Sequence, residues 1–233
     1  MKYLAWIHAY VIKDRDFWNM EGGASLSWSF NRILKLRNVA HPVLSNGAST
    51  IREIWLETRC KESKVLWHTL IWFPQHIPKH SPIAWMALLD RLPTCDRLLR
   101  MGITTNGICV LCNEMLENRN HLFFDCPIAS CLRGKIMLLI GLNKNISWED
   151  MVNWACNSWK GKSLISTILK LAWCANIYVL WEERNRRIFK GCSKTVDDLL
   201  NSIKDYVGIK LRGKTINRID YVNSNLCTSW GIY

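Results

Sequence analysis

Apolar residues recur at steps of three and four along most of the chain, which is the spacing of helices that bury one side. The longest such stretch is LISTILKLAWCANIYVLW, residues 164–181. The residues that share its apolar face are Leu164, Ile168, Leu171, Ala175 and Val179. Its length is close to the minimum that can span a bilayer, but Lys170 and Asn176 lie inside it. We therefore interpret it as a core helix packed on protein.

The same spacing predicts helices in most other parts of the chain. They are expected over residues 3–20, 25–40, 82–92, 95–102, 129–140 and 196–207. The segment VLWHTLIWF, residues 65–73, is either a short strand or a buried helical turn, because periodicity does not separate the two at this length. The pattern predicts a mainly α-helical fold.

Between the predicted helices, the stretch CVLCNEMLENRNHLFFDC gathers three cysteines and one histidine in residues 109–126. The spacing is Cys109-x2-Cys112-x8-His121-x4-Cys126. Zinc prefers four tetrahedral ligands with thiolate and imidazole donors, and a Cys-x2-Cys pair places two sulfurs on one metal from a tight turn. We call residues 109–126 the Cys/His loop and interpret it as a zinc site, which makes zinc the expected cofactor.

Three alternatives stay open for this loop. The grouping could arise by chance in a chain with 10 cysteines and 6 histidines. The Cys-x2-Cys pair could be a redox pair, although that role needs a βαβ context that the sequence does not suggest. Cys131 could replace Cys126 as the fourth ligand. Leu122, Phe123 and Phe124, between two of the ligands, are expected to be buried packing rather than base-stacking residues.

Several motifs in a fixed order extend this pattern over about 60 of the 233 residues. They are Trp72, Pro78-Lys79, Trp85, Arg91-Leu92-Pro93-Thr94, Asp96-Arg97-Leu98, Cys109-x2-Cys112, His121-Leu122-Phe123-Phe124 and Cys126-Pro127. In this order they resemble the reverse-transcriptase zinc-binding domain, which lies near the C-terminus of plant non-LTR retrotransposon polyproteins and of short gene products derived from them. The resemblance implies zinc held by Cys109, Cys112, His121 and Cys126, and a role in nucleic-acid binding.

The flanking sequences resemble the same family more loosely, which suggests three domains. Residues 1–50 resemble the helical connector that follows a reverse transcriptase, residues 51–146 are the zinc-binding domain, and residues 147–233 are a basic helical C-terminal region. The expected fold is mainly α, with helical regions flanking one small zinc-stapled loop module. The connector around LSNGASTIREIW is short for the family, which suggests a decayed or rearranged element.

The charge of the chain favours a polyanionic partner. The chain carries 31 basic and 19 acidic residues, a net charge of +12, which suits nucleic acid or an acidic membrane surface. Residues 1–107 carry a net +6, residues 108–150 a net −1 and residues 151–233 a net +7. Binding is therefore expected from basic helices rather than from the Cys/His loop. The candidate nucleic-acid-binding residues are Arg184, Arg186, Arg187, Lys190, Lys210, Arg212 and Lys214.

The acidic and histidine motifs do not indicate catalysis. A polymerase needs paired carboxylates that hold two metal ions. The Asp197-Asp198 pair instead starts a helical pattern, where acids are ordinary dipole partners. His76 and His80 are four apart, yet Pro78 between them disrupts a helical two-histidine face. We expect that the protein is not an enzyme.

The function predicted from the sequence is a non-catalytic, zinc-binding and nucleic-acid-binding fragment derived from a non-LTR retrotransposon. Its expected partners are single-stranded RNA or DNA and a reverse transcriptase supplied in trans, with no membrane. The alternative is a structural or protein-interaction remnant in which zinc only stabilises the fold and no nucleic acid is bound. An intracellular location, nuclear or cytoplasmic, is expected because no secretory signal is convincing and the cysteines suit reduced thiols or metal ligands.

Overall fold

The computed structural model describes residues 2–47, 50–59, 63–142, 146–213 and 220–232. These residues are mainly helical and include no β-strand, and one isolated antiparallel bridge pairs Ile108 with Leu116. The predicted mainly α fold is confirmed. The chain divides into two compact units, Met1–Ser63 and Lys64–Tyr233.

The first unit contains four α-helices among its described residues. They are α1 (Lys2–Ile7), which continues as a π-helix over His8–Ile12, α2 (Trp28–Lys35), α3 (Arg37–Ser45) and α4 (Ile51–Thr58). Its small core consists of Ile12, Met20, Phe30 and Leu34.

Two helices of this unit are shorter than the hydrophobic pattern suggests. The helical structure that begins with α1 ends at Ile12, because Lys13 takes a positive φ of 56° that a continuing helix excludes. The stretch predicted as one helix over residues 25–40 is divided at Leu36, whose N–H bonds Ile33 O only three residues back. Local hydrogen bonding and backbone conformation therefore decide boundaries that periodicity does not show.

The second unit contains eight α-helices among its described residues. They are α5 (His68–Ile71), α6 (His80–Leu88), α7 (Cys95–Arg100), α8 (Pro127–Leu139), α9 (Trp148–Ser158), α10 (Leu164–Lys190), α11 (Val196–Leu211) and α12 (Tyr221–Trp230). A five-residue π-helix, His121–Asp125, precedes α8. The ambiguous segment 65–73 therefore contains a short helix rather than a strand.

The long helix α10 is the central element of the second unit. It packs against α5, α6, α8, α11 and α12. By length and composition it could cross a membrane, but 78% of its most apolar window is buried inside the protein. This burial agrees with the core helix inferred from the sequence.

One hydrophobic core joins the Cys/His loop to the C-terminal helices. Its members include Cys109, Phe123, Leu180, Ile203 and Trp230. The loop and the basic C-terminal region are therefore parts of one folded unit. The division into residues 1–50, 51–146 and 147–233 follows sequence similarity rather than packing, and it stays a prediction.

The Asp197-Asp198 pair lies in the first turn of α11. Asp198 and Thr195 form a capping box, in which each side chain accepts a hydrogen bond from the other residue's backbone N–H. Asp197 pairs with Lys135 at 2.6 Å. Both carboxylates therefore have the structural roles that are usual at a helix start.

Candidate metal centre

The first two candidate ligands lie at the ends of a tight turn, residues 109–112, which we call the knuckle turn. Cys109 N donates to Met115 O at 2.8 Å, and Asn113 N donates to Cys109 O at 2.8 Å. Asn113 has a φ of 59°, a left-handed conformation that asparagine tolerates better than most residues. These bonds fold the chain back directly after Cys112.

The other two ligands come from the π-helix and the start of α8. Asn118 Oδ1 accepts from His121 N at 2.9 Å, and Cys126 N donates to His121 O at 2.8 Å. Cys126 is the N-cap residue of α8, and the Cys109 thiol and the nearby backbone N–H groups of Ala129 and Ile128 lower its pKa. Amide donors and the helix dipole both favour a thiolate at this position.

The four candidate ligand atoms lie within 4.8 Å of one another. Cys112 Sγ is 3.3 Å from His121 Nε2. Cys109, His121 and Cys126 are buried, and Cys112 is partly exposed. A tetrahedral zinc site with such donors has ligand–ligand distances of about 3.5 to 3.8 Å. The arrangement therefore fits a zinc ion held by three thiolates and one imidazole.

The side chains of Cys109 and Cys126 shift each other's pKa in opposite directions. The pKa of Cys126 is lowered by Cys109, and the pKa of Cys109 is raised by Cys126 and by burial. Zinc takes cysteines as thiolates, so binding would release the proton that Cys109 keeps.

The apolar residues between His121 and Cys126 are buried. Leu122 and Phe123 are fully buried, Phe124 is 3% exposed, and the Phe124 ring meets Trp148 edge-on at 5.5 Å between centres. The packing role predicted for these three residues is confirmed, and they are not placed to stack on bases.

Cys131 lies outside the group of four. It is exposed on α8, one turn beyond Cys126. Cys126, not Cys131, is therefore the residue that the structure brings to the other three ligands.

Arg184, predicted as a nucleic-acid-binding residue, is buried with a carboxylate partner. It is 2% exposed, and its guanidinium donates to both oxygens of Glu117 at 2.9 to 3.3 Å. Glu117 is fully buried and also accepts from Cys95 N at 2.8 Å. The positive charge of Arg184 is thus matched inside the protein.

The next two candidate arginines are also paired. Arg187 Nε donates to Glu183 Oε1 at 2.9 Å, and a terminal N–H of the same side chain donates to Leu111 O at 2.8 Å. Arg186 lies 3.8 Å from Glu182 and 3.3 Å from Glu183. All three arginines of this cluster therefore have carboxylate partners within the fold.

The remaining candidates are at the surface or outside the described residues. Lys190 and Arg212 are exposed, and Lys210 is half-buried. None of the three forms an ion pair within the described part of the chain. Lys214 lies outside the described residues.

The partners of the α10 arginines could not be identified from local sequence. Glu117 is 67 positions from Arg184, and Leu111 is 76 positions from Arg187. A single acid in a polar loop looks solvated, so only the fold identifies Glu117 as the counter-charge of a buried arginine.

Comparison with known proteins assigns the Cys/His loop to a described domain. Residues 50–132 match the model of the family described as zinc-binding in reverse transcriptase. This range contains all four candidate ligands, and the match confirms the resemblance to a reverse-transcriptase zinc-binding domain. No curated protein and no solved structure matches the chain.

Proposed function

We propose that this chain, with its zinc-binding domain of the reverse-transcriptase type at residues 50–132, is a non-catalytic, nucleic-acid-binding fragment derived from a non-LTR retrotransposon. The observation that carries the zinc part is the convergence of Cys109, Cys112, His121 and Cys126 within 4.8 Å. The nucleic-acid part rests on the net charge of +12 and on the location of its unpaired part.

The ligand set supports a structural role for zinc. Three thiolates and one imidazole fill all four tetrahedral positions, whereas catalytic zinc sites keep one position open for water or substrate. When bound, zinc would join the knuckle turn to the start of α8. The engagement of Asp197 and Asp198 by Lys135 and Thr195 further supports a non-catalytic protein.

A large part of the basic charge that is available to a polyanion lies on the C-terminal helices. Residues 151–233 carry a net +7, against −1 for residues 108–150. The residues without a described ion-pair partner include Lys190, Lys204, Lys210 and Arg212, all exposed or half-buried. Such side chains can neutralise phosphates and release counterions without reading sequence.

Lys79 adds a further exposed positive charge beside these lysines. Its Nζ donates to Tyr206 Oη at 3.1 Å and lies 5.1 Å from the centre of the Tyr178 ring, and both rings also pack against His80. Tyr206 is one helical turn before Lys210 on α11. Lysines grouped in this way can contact the phosphates of a flexible single strand. Single-stranded RNA or DNA is the proposed ligand.

The second candidate function is a structural remnant in which zinc only stabilises the fold. The pairing of Arg184, Arg186 and Arg187 with carboxylates favours it, because three basic residues of the densest cluster are used by the fold itself. On this alternative, the chain binds zinc but no nucleic acid.

A partner polymerase and an intracellular location complete the proposal. A reverse transcriptase acting in trans is a natural partner for a domain whose family is described as part of that enzyme. Zinc–thiolate ligation needs reduced cysteines, which supports an intracellular location without a membrane partner.

The proposal is tested by the salt dependence of RNA binding. The zinc-loaded chain is titrated into a fluorescently labelled single-stranded oligoribonucleotide at several salt concentrations, and anisotropy is recorded. The logarithm of the affinity should fall linearly with the logarithm of salt, by about 0.7 per phosphate contacted. A folded, zinc-loaded chain that does not bind at low salt would support the remnant and contradict the nucleic-acid proposal.

A pair of double variants locates the binding surface. Lys210→Gln with Arg212→Gln removes two unpaired charges and should reduce the salt slope by about 1.4 if both contact phosphates. The control, Arg100→Gln with Lys135→Gln, also removes one arginine and one lysine, but both already pair with aspartates. Equal binding by the two double variants would exclude the end of α11 as the binding surface.

A further inference from the structure

We infer that the end of α10 is part of the zinc site. Arg187 is a positioning residue for the knuckle turn, and Arg184 anchors the segment between Cys112 and His121, which we call the returning arm of the Cys/His loop. This inference rests on the zinc binding proposed above. Both arginines lie more than 50 positions beyond residue 132, where the family match ends.

The first step is the contact between Arg187 and the turn that holds two ligands. One terminal N–H group of Arg187 donates to Leu111 O at 2.8 Å and approaches Val110 O at 3.4 Å. Both carbonyls belong to residues between Cys109 and Cys112. A guanidinium is suited to this position because its planar fork donates to two acceptors at once.

The two peptide groups whose carbonyls contact Arg187 also act on a metal ligand through their N–H groups. Cys126 and burial raise the pKa of Cys109, and the nearby N–H groups of Leu111 and Cys112 act against them and favour its thiolate. Their peptide carbonyls are those of Val110 and Leu111, the two acceptors of Arg187. Arg187 therefore fixes the orientation of the amides that stabilise a metal-binding thiolate, which is how outer hydrogen bonds tune a metal ligand.

The third step is the support of Arg187 itself. Glu183, one turn earlier on α10, is fully buried and bonds Arg187 Nε at 2.9 Å. The same carboxylate accepts from Lys194 N at 2.8 Å and lies 3.3 Å from Arg186. Arg187 is thus held in place from within its own helix and does not depend on the loop for its position.

The fourth step is the second attachment of the loop. Glu117, between Cys112 and His121 in the chain, forms the buried pair with Arg184 at 2.9 Å. Glu117 N also donates to Gly107 O at 2.8 Å, which joins the returning arm to the residues before the knuckle turn. Two arginines three positions apart on α10 therefore hold both arms of the Cys/His loop.

The consequence is a coupling between zinc binding and the packing of α10. If α10 stabilises the ligand geometry, bound zinc must stabilise the packing of α10 by the same free energy, because such coupling is reciprocal. Residues 50–132 would then supply all four zinc ligands, but the geometry of these ligands would depend on α10.

The experiment compares zinc affinities by competition with a chromophoric chelator in the full chain. Arg187→Ala should weaken zinc binding by about 10-fold, the low end of the usual effect of losing a hydrogen-bond partner of a metal ligand, because Arg187 bonds the turn between two ligands and not a ligand itself. Arg186→Ala is the matched control, because Arg186 contacts Glu183 but not the knuckle turn. We expect a change of less than about threefold for it. Arg187→Lys, which keeps one donor, should restore part of the affinity and serves if the alanine variant does not fold.

A second readout separates positioning from general destabilisation. Cobalt(II) is bound in place of zinc, and its visible absorption reports the geometry and electron donation of the thiolates. Arg187→Ala should shift this spectrum, whereas Arg186→Ala should not. Equal zinc affinities and unchanged spectra for both variants would overturn the inference and leave zinc binding intact. A wild-type chain that binds no zinc would overturn the inference and the proposed function together.

Discussion

The last turns of α10 and the end of α11, from Lys210 to Arg212, are both basic in sequence, yet the fold uses their charges differently. Arg184, Arg186 and Arg187 of α10 all pair with carboxylates, and Arg184 is almost fully buried. Lys204 and Lys210 of α11 are half-buried and form no ion pair with another described residue. A basic cluster in the sequence therefore indicates a binding surface only when the acidic partners of its residues in the fold are known.

The residue types follow the same division. Arginine, with five donors in a rigid fork, suits the buried contacts of α10 with carboxylates and peptide carbonyls. Lysine carries a compact, strongly hydrated charge and suits a surface that exchanges water for phosphate. The α10 cluster therefore holds the protein together, and the α11 cluster is the better candidate for an external polyanion.

Removal of zinc should have the largest effect on this comparison. With free zinc at 1,000 times the dissociation constant, chelation should remove about 4 kcal/mol of unfolding free energy. The loss should appear in amide hydrogen exchange at the end of α10 before it appears in α11, because α10 contacts the knuckle turn directly through Arg187. Equal acceleration in both helices would contradict the proposed coupling.

Replacement of Arg184 should have the next largest effect. Arg184→Ala leaves the carboxylate of Glu117 buried without its partner, which should cost about 3 to 5 kcal/mol of unfolding free energy in urea titrations. Arg212→Ala, an exposed change at the end of α11, should stay within about 0.5 kcal/mol. A loss below about 1 kcal/mol for Arg184→Ala would mean that Glu117 takes up a proton or rearranges at little cost.

Acid should weaken the contact between the two helices through His80. The His80 ring is fully buried, 4.4 Å from the Tyr178 ring of α10 and 4.7 Å from the Tyr206 ring of α11. Burial, aided by neighbouring Lys79, lowers the His80 pKa from 6.5 to about 4. Between these values the unfolded chain binds a proton that the folded chain does not, so stability falls as pH falls.

The expected loss from this residue is up to about 3 kcal/mol between pH 7 and pH 4. His80→Phe keeps a buried ring without a titrating group, so it should lose less unfolding free energy than the wild type between pH 7 and pH 5. Acid-driven zinc release affects both chains, and their difference isolates His80. Parallel losses in the two chains would show that His80 titrates normally in the folded state.

The smallest effect is expected at an exposed ion pair. Arg100 and Asp96 of α7 pair at 2.9 Å, but the arginine side chain is 67% exposed. Arg100→Ala should cost less than about 1 kcal/mol, and this cost should shrink as salt is raised. The cost of Arg184→Ala should change little with salt, because that pair is buried. Equal salt sensitivity of the two variants in urea titrations would remove the distinction between buried and surface charge.

The parts of the molecule that sequence predicts well are those with local signals. The ligand spacing from Cys109 to Cys126 is a local motif, and the apolar face of α10 is a local periodicity. The structure brings the four ligand atoms together and buries the helix. The boundary at Leu36 and the short α5 depend on individual backbone conformations, which periodicity does not contain.

The roles of the α10 arginines depend on partners far along the chain. Arg184 and Glu117 are 67 positions apart, and no local pattern connects them. The basic residues from Arg184 to Lys190, which are predicted from sequence to form one surface cluster, therefore have two different roles in the fold. Arg184 and Arg187 contact the Cys/His loop, and Lys190 is exposed.

The most direct test of the account is the zinc content per chain, measured by native mass spectrometry on protein purified with zinc and then dialysed. We expect one zinc per wild-type chain, one per Cys131→Ser chain, and a lost or loosened zinc in His121→Ala. A folded wild-type chain without zinc, or a zinc lost on changing Cys131, would contradict the site formed by Cys109, Cys112, His121 and Cys126.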